Sequence, residues 1–487
     1  MAVTIQDLTR DLEFLEQALY YCEKNEMYKS VGISAKLNRP LGEEQAFASL
    51  RLLVLKYPLL FSHVVEKGQQ IRYEPVEEIR FKDVFTVNRD VDRCFKEEGA
   101  NTRLLTEQSS LENHHNKHAL WKLTYYERTG WITFNSAHCF TDGGSVVAYL
   151  KDFVEGLNNV DKPETRDVLF NLSKDLPILE HKISPGFFDR VNYLPNLATR
   201  LLFRGLQLAI SVWPGIIHSV LEKKRFELFF VDRPPERFLP DTFFESTYIV
   251  GKDSGLNFTT PSFINFSPEQ LNIMIQACRK NQVKLQTYLL MVYIHTLNEL
   301  YPDLYMGKNL KTSVAASFRN RFDCLQTHTS YLGNEGRFDD GFYTYAASFL
   351  LPPGTKFTWG AVRKYHDYLH TTLSSEDWVK QYYLAQAMPV GVYMDPVVGQ
   401  EKDDLCLSAT NLGHISVLQY DDGSKFQIED ILFAPSAGAL LGTHHMTVSS
   451  TTKNGLNIGI TDGDPNITDW ATLKAKFKLN LMDLLEC

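Results

Sequence analysis

The sequence predicts a mixed α/β protein made of two halves. Its 487 residues suffice for two domains of ordinary size, and a hydrophobic content of 44% is typical of a globular chain. Stretches with the two-residue periodicity of strands and stretches with helical periodicity follow one another in both halves, and no short repeat connects them. These observations together favour mixed sheets with helices packed on them.

Before its central motif, the first half contains two predicted helices and four predicted strands, one of which follows the segment Pro58–Phe61. The helix Asp7–Lys24 carries an apolar stripe that is typical of packing against a core, and its polar face lacks the lysines of a membrane anchor. A second helix follows at Leu41–Lys56. Alternating patterns predict strands at Tyr28–Leu37, Val84–Arg89 and Leu120–Tyr126.

The second half begins again with a strand and ends with a helix. Ser267 and Gln270 have the spacing of a capping box, which predicts a helix through Arg279. Two hairpins are predicted, one joining His414–Tyr420 to Phe426–Phe433 and one turning at Asn454-Gly455. The remaining predicted elements are strands at Ser246–Gly251, Thr312–Phe318 and Asp340–Leu351 and helices at Thr287–Leu300, Trp359–Leu373, Ser375–Gln386 and Ile467–Leu485.

These patterns divide the chain into an N-terminal half (1–190), a crossover (191–245) and a C-terminal half (246–487). Within the crossover, Gly205–Leu221 carries no charge but is interrupted by Pro214. The stretch is slightly short for a membrane-spanning helix, so we expect a helix that packs between the domains or over a substrate entrance. A helix embedded in a membrane interface is the alternative.

Composition argues against a nucleic-acid-binding function and indicates the cellular compartment. The formal net charge is −9, and charges of both signs are spread along the chain without a basic block, which argues against nucleic acid as a partner. The seven cysteines include no Cys-x-x-Cys pair, which favours a reducing compartment. The segment Met1–Arg10 lacks the apolar run of a signal peptide. We therefore expect the protein on the cytosolic side.

The first half is organised around a strand, a turn and a helix in residues 130–150. His138 leaves the strand end, where a neutral imidazole can take a proton from a hydroxyl or an amine near neutral pH. Asp142 can cap the following helix or pair with a cation. Gly143 and Gly144 permit a tight turn and the close approach of a ligand. The alternative interpretation is that His138 is a core histidine and Asp142 only a helix cap.

Two other groups near the motif are not expected to take part in chemistry. His114, His115 and His118 lie in a polar loop, but no fourth ligand stands out, so we predict no metal site. Cys139 follows His138 on the strand end and so points to the opposite side. We expect Cys139 to face the core rather than to act as a nucleophile.

The motif and several further segments resemble the coenzyme-A-dependent acyltransferases, and most closely the fungal alcohol O-acetyltransferase family. That superfamily also contains chloramphenicol acetyltransferase, carnitine acyltransferases, plant BAHD enzymes and peptide-synthetase condensation domains. The segments that carry the resemblance span nearly the whole chain and are Leu15–Tyr28, Trp121-Lys122-Leu123, Asn135–Cys139, His138-x-x-x-Asp142-Gly143, Val314–Arg321, Thr410–Gly413 and Asn454–Ile458.

The resemblance implies two similar chloramphenicol-acetyltransferase-like domains with an active-site channel at their interface. Residues 1–190 and 246–487 would then be the two acyltransferase halves. Acetyl-CoA would be the co-substrate and would enter from one face of the channel, with the acceptor entering from the other and no metal taking part. His138 would act as the general base, without a covalent enzyme intermediate.

The resemblance also implies supporting roles. Asp142 would turn away from the substrate and pair with an arginine of the second half, for which Arg319 is the candidate; the alternative is a solvated arginine at a strand end. Gly143 would belong to the turn that carries His138. Asn411, or a backbone N–H near it, would stabilise the oxyanion, and the alternative for Asn411 is a turn-forming role.

The sequence departs from the family pattern at two positions. Gly144 stands where a bulkier residue often follows the motif, so a side-chain contact to the substrate is not expected there. Thr410 replaces a serine. The plant-type Asp-Phe-Gly-Trp-Gly segment is absent, which argues against the BAHD branch.

The expected function is acetylation of a small apolar alcohol by acetyl-CoA, giving an acetate ester. One alternative is N-acetylation of a sphingoid-like or other amine. Alternatives of other classes are hydrolysis of a thioester or ester, and a non-catalytic binding protein on the same fold. The apolar stretch 196–221 leans toward lipid-like substrates, and a peripheral association with the endoplasmic reticulum or with lipid droplets is a further expectation.

Overall fold

The computed structural model of the chain describes residues 2–24, 30–68, 70–96, 118–160, 166–190, 193, 195–213, 215, 261–306, 310–319, 339–351, 356–375, 377–391, 405–415, 423–435, 444–462, 467 and 469–486. Within these ranges strands and helices are mixed in both halves, as the sequence predicts. The loop residues His114 and His115, residues 216–245 of the crossover and the predicted strand Ser246–Gly251 lie outside the described residues.

The described strands are β1 (Arg10–Asp11), β2 (Val31–Leu37), β3 (Ser62–Lys67), β4 (Gln70–Pro75), β5 (Glu78–Arg80), β6 (Phe85–Asn88), β7 (Trp121–Tyr126), β8 (Trp131–Ser136), β9 (Val168–Asn171), β10 (Pro261–Phe266), β11 (Leu310–Ser317), β12 (Thr344–Leu351), β13 (Leu405–Ile415), β14 (Ile428–Pro435), β15 (His444–Thr451) and β16 (Gly455–Asp462).

The described helices of eight or more residues are α1 (Phe14–Lys24), α2 (Glu43–Lys56), α3 (Gly143–Asn159), α4 (Leu197–Val212), α5 (Pro268–Lys280), α6 (Leu285–Leu300), α7 (Trp359–Ser374), α8 (Asp377–Ala385) and α9 (Trp470–Asp483). Shorter helical turns lie at Ile5–Leu8, Pro58–Phe61, Phe81–Val84, Leu172–Asp175, Leu176–Ile178, Phe187–Arg190, Pro302–Tyr305 and Leu484–Glu486. The predicted capping box is present at the start of α5, where Ser267 and Gln270 bond to each other's backbone N–H groups.

The predicted N-terminal helix is shorter in the structure than in the prediction. It begins at Phe14 rather than Asp7, because residues 10–11 form β1 and pair with β4. The Arg10 side chain then binds the buried Glu16 carboxylate through both terminal nitrogens, at 2.7 and 2.6 Å. The apolar stripe that suggested one continuous helix is therefore interrupted by strand pairing with a distant segment.

The first-half sheet has the strand order β14-β2-β8-β7-β6 among the described residues. Its strand pairs are antiparallel, except that β6 and β7 run parallel. Helices α2 and α3 pack against each other. On the sheet face covered by α3, Phe134 of β8 stacks on Trp121 of β7, with ring centroids 5.4 Å apart, and lies 5.7 Å from Tyr149 of α3. This face holds the hydrophobic core of the first half.

The second-half sheet has the order β10-β16-β15-β13-β11-β12 among the described residues. The pairs β11–β13 and β13–β15 are parallel and the other pairs are antiparallel. Helix α6 is buried along most of its length beside α9. Tyr293 of α6 donates to or accepts from Nδ1 of His444 on β15 at 2.9 Å, which shows that α6 covers the face of the sheet to which His444 belongs.

Strand β14 passes from the second half into the sheet of the first. It pairs antiparallel with β2, with Phe433 opposite Ile33. Its other side lies against the second-half sheet, where Thr447 and Ser449 of β15 donate to the carbonyl oxygens of Phe433 and Ile431, each at 2.7 Å. Of the predicted hairpin partner His414–Tyr420, residues 416–420 lie outside the described residues, and His414 and Ile415 pair with β15. The alternating pattern identified the strand that contains Phe433, but not its pairing with β2.

Helix α1, which belongs to the first half, packs in the second half. Its residues Phe14, Leu15, Ala18 and Cys22 belong to the hydrophobic core of the second half, although the helix lies near the N-terminus. Each half thus contributes one element to the packing of the other. The predicted boundaries at residues 190 and 245 stay predictions, and β14 shows that they do not separate two self-contained sheets.

Helix α4 forms earlier in the crossover than the predicted apolar stretch Gly205–Leu221. It is capped by Asn196 and ends at Val212, before Pro214. One of its faces packs on α8, where the rings of Phe203 and Tyr383 are 4.7 Å apart. Within the described ranges, no helix combines the length and the apolar character needed to cross a bilayer.

Candidate active site

The predicted strand, turn and helix are present around His138. Strand β8 ends at Ser136 and α3 begins at Gly143, so His138 lies in the connecting turn. Asp142 is the N-cap of α3, and its Oδ1 atom accepts the backbone N–H of Ser145 at 3.0 Å. The sheet and the capped helix together fix both ends of the turn.

Hydrogen bonds hold the His138 turn in place. The His138 N–H donates to the Glu23 carboxylate, and the Tyr73 hydroxyl donates to the Cys139 carbonyl at 2.8 Å. The ring atom Nδ1 of His138 lies 2.8 Å from the Thr141 carbonyl oxygen. Because a carbonyl only accepts, Nδ1 carries the hydrogen, and in the neutral ring Nε2 carries the lone pair.

The environment keeps this imidazole neutral. Burial lowers the pKa of His138 below its ordinary value, and the Thr141 carbonyl and the Asp142 charge oppose that shift only in part. His138 nevertheless keeps part of its surface exposed, whereas Asp142 is 1% exposed. The ring of Phe342, from the second half, packs edge-on to His138 with centroids 5.6 Å apart. The imidazole is therefore neutral and partly exposed, with an aromatic ring of the second half against it.

Asp142 and Arg319 are brought together across the two halves. Arg319 Nη1 donates to Asp142 Oδ2 at 2.6 Å. The same oxygen accepts the backbone N–H of Tyr343 at 2.9 Å and the Thr344 hydroxyl at 2.8 Å. Burial alone would raise the pKa of Asp142, but the Arg319 charge and these hydrogen bonds hold the pKa below its usual range. The carboxylate therefore stays ionised and points into the second half.

Gly144 explains how Arg319 comes so close to the start of α3. A Cβ atom at Gly144 would lie 2.8 Å from Arg319 Nη1 and 3.0 Å from Cζ. A larger residue would push the guanidinium away from Asp142. The absence of a side chain at Gly144 thus makes room for the ion pair.

A polar face of α3 that the sequence reasoning missed completes the junction. Ser145 accepts a hydrogen bond from Arg319 Nη2 at 2.8 Å and donates to the Gly341 carbonyl at 2.7 Å. One turn further along, the Tyr149 hydroxyl bonds to the buried Asp340 carboxylate. Asp142, Ser145 and Tyr149 have helical spacing, so the sequence indicates that they share one face of α3. It does not indicate which residues of the second half contact that face.

Asn411 lies in a β-bulge of β13. Its Oδ1 atom accepts the Gly413 N–H at 2.7 Å, and Gly413 has a φ of +79°, so the amide supports the turn. The neighbouring Leu412 packs against the motif, because a Cβ atom at Gly143 would lie 2.5 Å from Leu412 Cδ2. The segment that contains Asn411 therefore lies beside the start of α3. The Asn411 side chain forms the contact expected of a turn-forming residue, the bond to the Gly413 N–H.

Cys139 and Glu23 are both buried beside His138. Cys139 is 1% exposed, lies in the first-half core and has a pKa raised well above its usual value by burial, so it remains a thiol. Glu23, at the end of α1, is 1% exposed, and burial raises its pKa to about 8. Sequence reasoning missed Glu23, because nothing in α1 indicates a contact with residue 138.

No three His, Cys, Asp or Glu side chains converge as ligands within the part of the chain that the structure describes. His118 is described, but the neighbouring loop histidines are not. The prediction that no metal takes part stays a prediction.

Comparison with known proteins identifies a family and several solved structures with a similar fold. A family model described as alcohol acetyltransferase matches residues 11–478. Trichothecene 15-O-acetyltransferase TRI3 from Fusarium sporotrichioides has 10% sequence identity and a TM-score of 0.63, and the match covers 97% of this chain and 96% of that one. None of the curated proteins compared with the chain matches it.

Two further solved structures share the fold over the same length. Polyketide synthase associated protein 5 from Mycobacterium tuberculosis has 13% identity, a TM-score of 0.57 and 98% coverage of both chains. The epimerization domain from the third module of tyrocidine synthetase B has 11% identity, a TM-score of 0.58 and coverage of 98% of this chain and 96% of that one. The predicted two-lobed α/β acyltransferase fold is thereby confirmed.

Removing the guanidinium of Arg319 should destabilise the protein strongly. The Arg319→Ala variant leaves the ionised Asp142 buried without its cation, so we expect a loss of about 3–5 kcal/mol in the free energy of unfolding. Urea denaturation at pH 7 measures it. The exposed pair Lys67–Glu74 supplies the control, because Lys67→Ala should cost about 1 kcal/mol or less. Equal losses in the two variants would show that Asp142 does not depend on Arg319.

Glu23 should make stability depend on pH. Its folded pKa of about 8 lies above the ordinary 4.5, so between these values the unfolded chain releases a proton that the folded chain keeps. Stability therefore falls as pH rises through this range, by up to about 1.4 kcal/mol per pH unit from this group. Glu23→Gln retains the acceptor for the His138 N–H and should flatten the curve. Urea denaturation at pH 5, 6.5 and 8 tests this, and parallel curves for the two proteins would contradict it.

Proposed function

The chain belongs to the alcohol acetyltransferase family, and from this premise we propose that it transfers an acetyl group from acetyl-CoA to the hydroxyl of an alcohol. The products are an acetate ester and free coenzyme A. The observation that carries the proposal is the hydrogen bond between His138 Nδ1 and the Thr141 carbonyl, since it reserves Nε2 for proton transfer. The lowered pKa of His138 keeps that nitrogen unprotonated at neutral pH.

The proposed reaction needs one base and no covalent enzyme intermediate. His138 Nε2 removes the hydroxyl proton while the alcohol oxygen attacks the thioester carbonyl. When the tetrahedral intermediate collapses, the C–S bond breaks and the imidazolium returns the proton to the thiolate. A base positioned in this way contributes ~10²–10⁴-fold to the rate.

The remaining motif residues have supporting roles in this proposal. Asp142 is directed at Arg319, Tyr343 and Thr344, so it positions the turn rather than touching the substrate. Gly143 lets Leu412 pack against the turn. Because Asn411 uses Oδ1 within its bulge, its Nδ2 group, or a backbone N–H beside it, is the donor proposed for the oxyanion.

Replacing His138 should abolish acetyl transfer without unfolding the protein. We expect His138→Ala to lower the rate of acceptor-dependent thiol release from acetyl-CoA by at least ~10²-fold, because the general base is lost. A panel of alcohols and long-chain amino alcohols is offered to both proteins, and Lys67→Ala serves as an active control. A rate that survives in His138→Ala would show that another group is the base.

The same panel separates the alternative functions. Transfer to amines but not to alcohols would identify an N-acetyltransferase. Thiol release without any acceptor would identify a hydrolase. An intact protein that binds coenzyme A but turns over none of the acceptors would favour a non-catalytic role.

The proposal extends to a lipid surface as a partner, on the cytosolic side of the endoplasmic reticulum or of lipid droplets. On α4 the face opposite α8 presents Leu197, Leu201, Leu208 and Val212, which are 51–64% exposed. Trp213, at the end of the helix, is 58% exposed. Residues 195–213 include two arginines and no acid, although the chain as a whole is acidic. An apolar stripe flanked by cations suits an anionic lipid interface.

Flotation with lipid vesicles tests this surface. The protein should float with vesicles containing phosphatidylserine, and the double change Leu201→Asp and Leu208→Asp should prevent it, because it places two charges in the stripe. Leu479→Asp, at an isolated leucine that is 59% exposed, is the matched control and should float normally. Equal flotation of all three proteins would exclude α4 as the contact.

A further inference from the structure

Asn135, near the end of β8, has a buried amide without partners. Its side chain is 0% exposed, and neither Nδ2 nor Oδ1 forms a hydrogen bond in the structure. More than nine in ten buried polar groups in proteins are bonded, so an amide with both ends unpaired needs an explanation. The explanation lies in the direction in which the side chain points.

Asn135 belongs to the face of β8 that looks toward the second half. Successive strand residues point to opposite faces, so Asn135 and Trp131 lie on one face of the sheet and Phe134 lies on the other. Phe134 packs on the helix side, against Tyr149 of α3. Trp131 instead clusters with Leu432 of β14, and Phe263 of β10 packs against that cluster. The unpaired amide therefore lies on the face of the sheet that is turned toward the second half.

The neighbours of Asn135 on this face leave the amide unmatched. In strand register it lies between Gly32 of β2, which has no side chain, and Lys122 of β7, which is partly exposed. Two residues earlier on the same face, Thr133 bonds to Ser34 of β2 at 2.7 Å. On this face the Thr133 and Ser34 side chains therefore bond to each other, whereas the sheet gives the Asn135 side chain no partner.

The position of Asn135 relative to His138 indicates what it binds. Asn135 precedes His138 by three residues and belongs to the strand that ends at Ser136, just before the turn that carries His138. We propose that Asn135 binds an amide group of the pantetheine arm of acetyl-CoA. This inference rests on the proposed function, because it places the thioester of the same substrate at His138.

The hydrogen-bonding groups of the Asn135 side chain match an amide of pantetheine better than they match the thioester or the alcohol substrate. A secondary amide offers one N–H donor and one carbonyl acceptor, which match Oδ1 and Nδ2 of Asn135. A thioester carbonyl has no hydrogen to give, and the only hydroxyl hydrogen of an alcohol goes to His138. Either of those groups would leave Oδ1 of Asn135 without a donor.

Two acetyl donors test the assignment with one acceptor held constant. Asn135→Leu keeps the branched shape of the side chain but cannot form hydrogen bonds, so kcat/KM with acetyl-CoA should fall ~10-fold, the loss of about one hydrogen bond. With ethyl thioacetate, which contains no amide, wild type and variant should agree within about twofold. S-acetyl-N-acetylcysteamine retains only the amide nearer the thioester, so it identifies which of the two amides is bound.

Controls separate binding from structure. Thr133→Val removes the bonded hydroxyl on the same face, so it should lower the melting temperature and leave the ratio between the two donors unchanged. Asn135→Leu should keep or raise the melting temperature of the ligand-free protein, because it removes an unpaired polar group. Should the leucine variant fail to fold, Asn135→Ser is used, and an intermediate loss with acetyl-CoA alone is expected.

The outcomes are distinct. An equal loss with both donors, or no loss with acetyl-CoA, overturns the role of Asn135 and leaves the proposed function standing. Weaker coenzyme A binding by Asn135→Leu in calorimetry supports the role even without turnover. A wild-type protein that neither binds coenzyme A nor transfers acetyl groups removes the proposed function, and the inference with it.

Discussion

The structure depends on one buried charge pair between its halves. Asp142 is 1% exposed, so its carboxylate must be compensated by partners with fixed positions. Those partners are Arg319, Tyr343 and Thr344, all from the second half, while Oδ1 of the same carboxylate caps α3 in the first half. One side chain thus fixes the start of a helix, the turn carrying His138 and the relative placement of the two sheets.

Further contacts around the Asp142–Arg319 pair also fix the turn that carries His138. The turn belongs to the first half, and residues of both halves hold it in place. Ser145 and Tyr149 extend the junction along α3, and Glu23 holds the His138 backbone from α1, which itself packs in the second-half core. The imidazole is consequently oriented by parts of the chain that are far apart in sequence.

Local patterns made much of this predictable. The strand, the double glycine and the helix around His138 follow from periodicity and capping chemistry, and the resemblance identified Arg319 as the partner of Asp142. The pairing of β14 with β2 was not predicted, and Glu23 and Ser145 were missed, because their partners lie more than 100 residues away. Asn135 was read only as part of a strand, since an unpaired amide can be seen only once its surroundings are known.

Strand β14 also has a consequence for synthesis on the ribosome. It starts 391 residues after β2 ends, as 428 minus 37 gives, and at about 5–20 residues per second the wait is on the order of tens of seconds. Throughout that time the outer edge of β2 has no neighbour and presents bare backbone groups to other nascent chains. A cell making this protein therefore has to shield an open sheet edge until nearly the last segment has emerged.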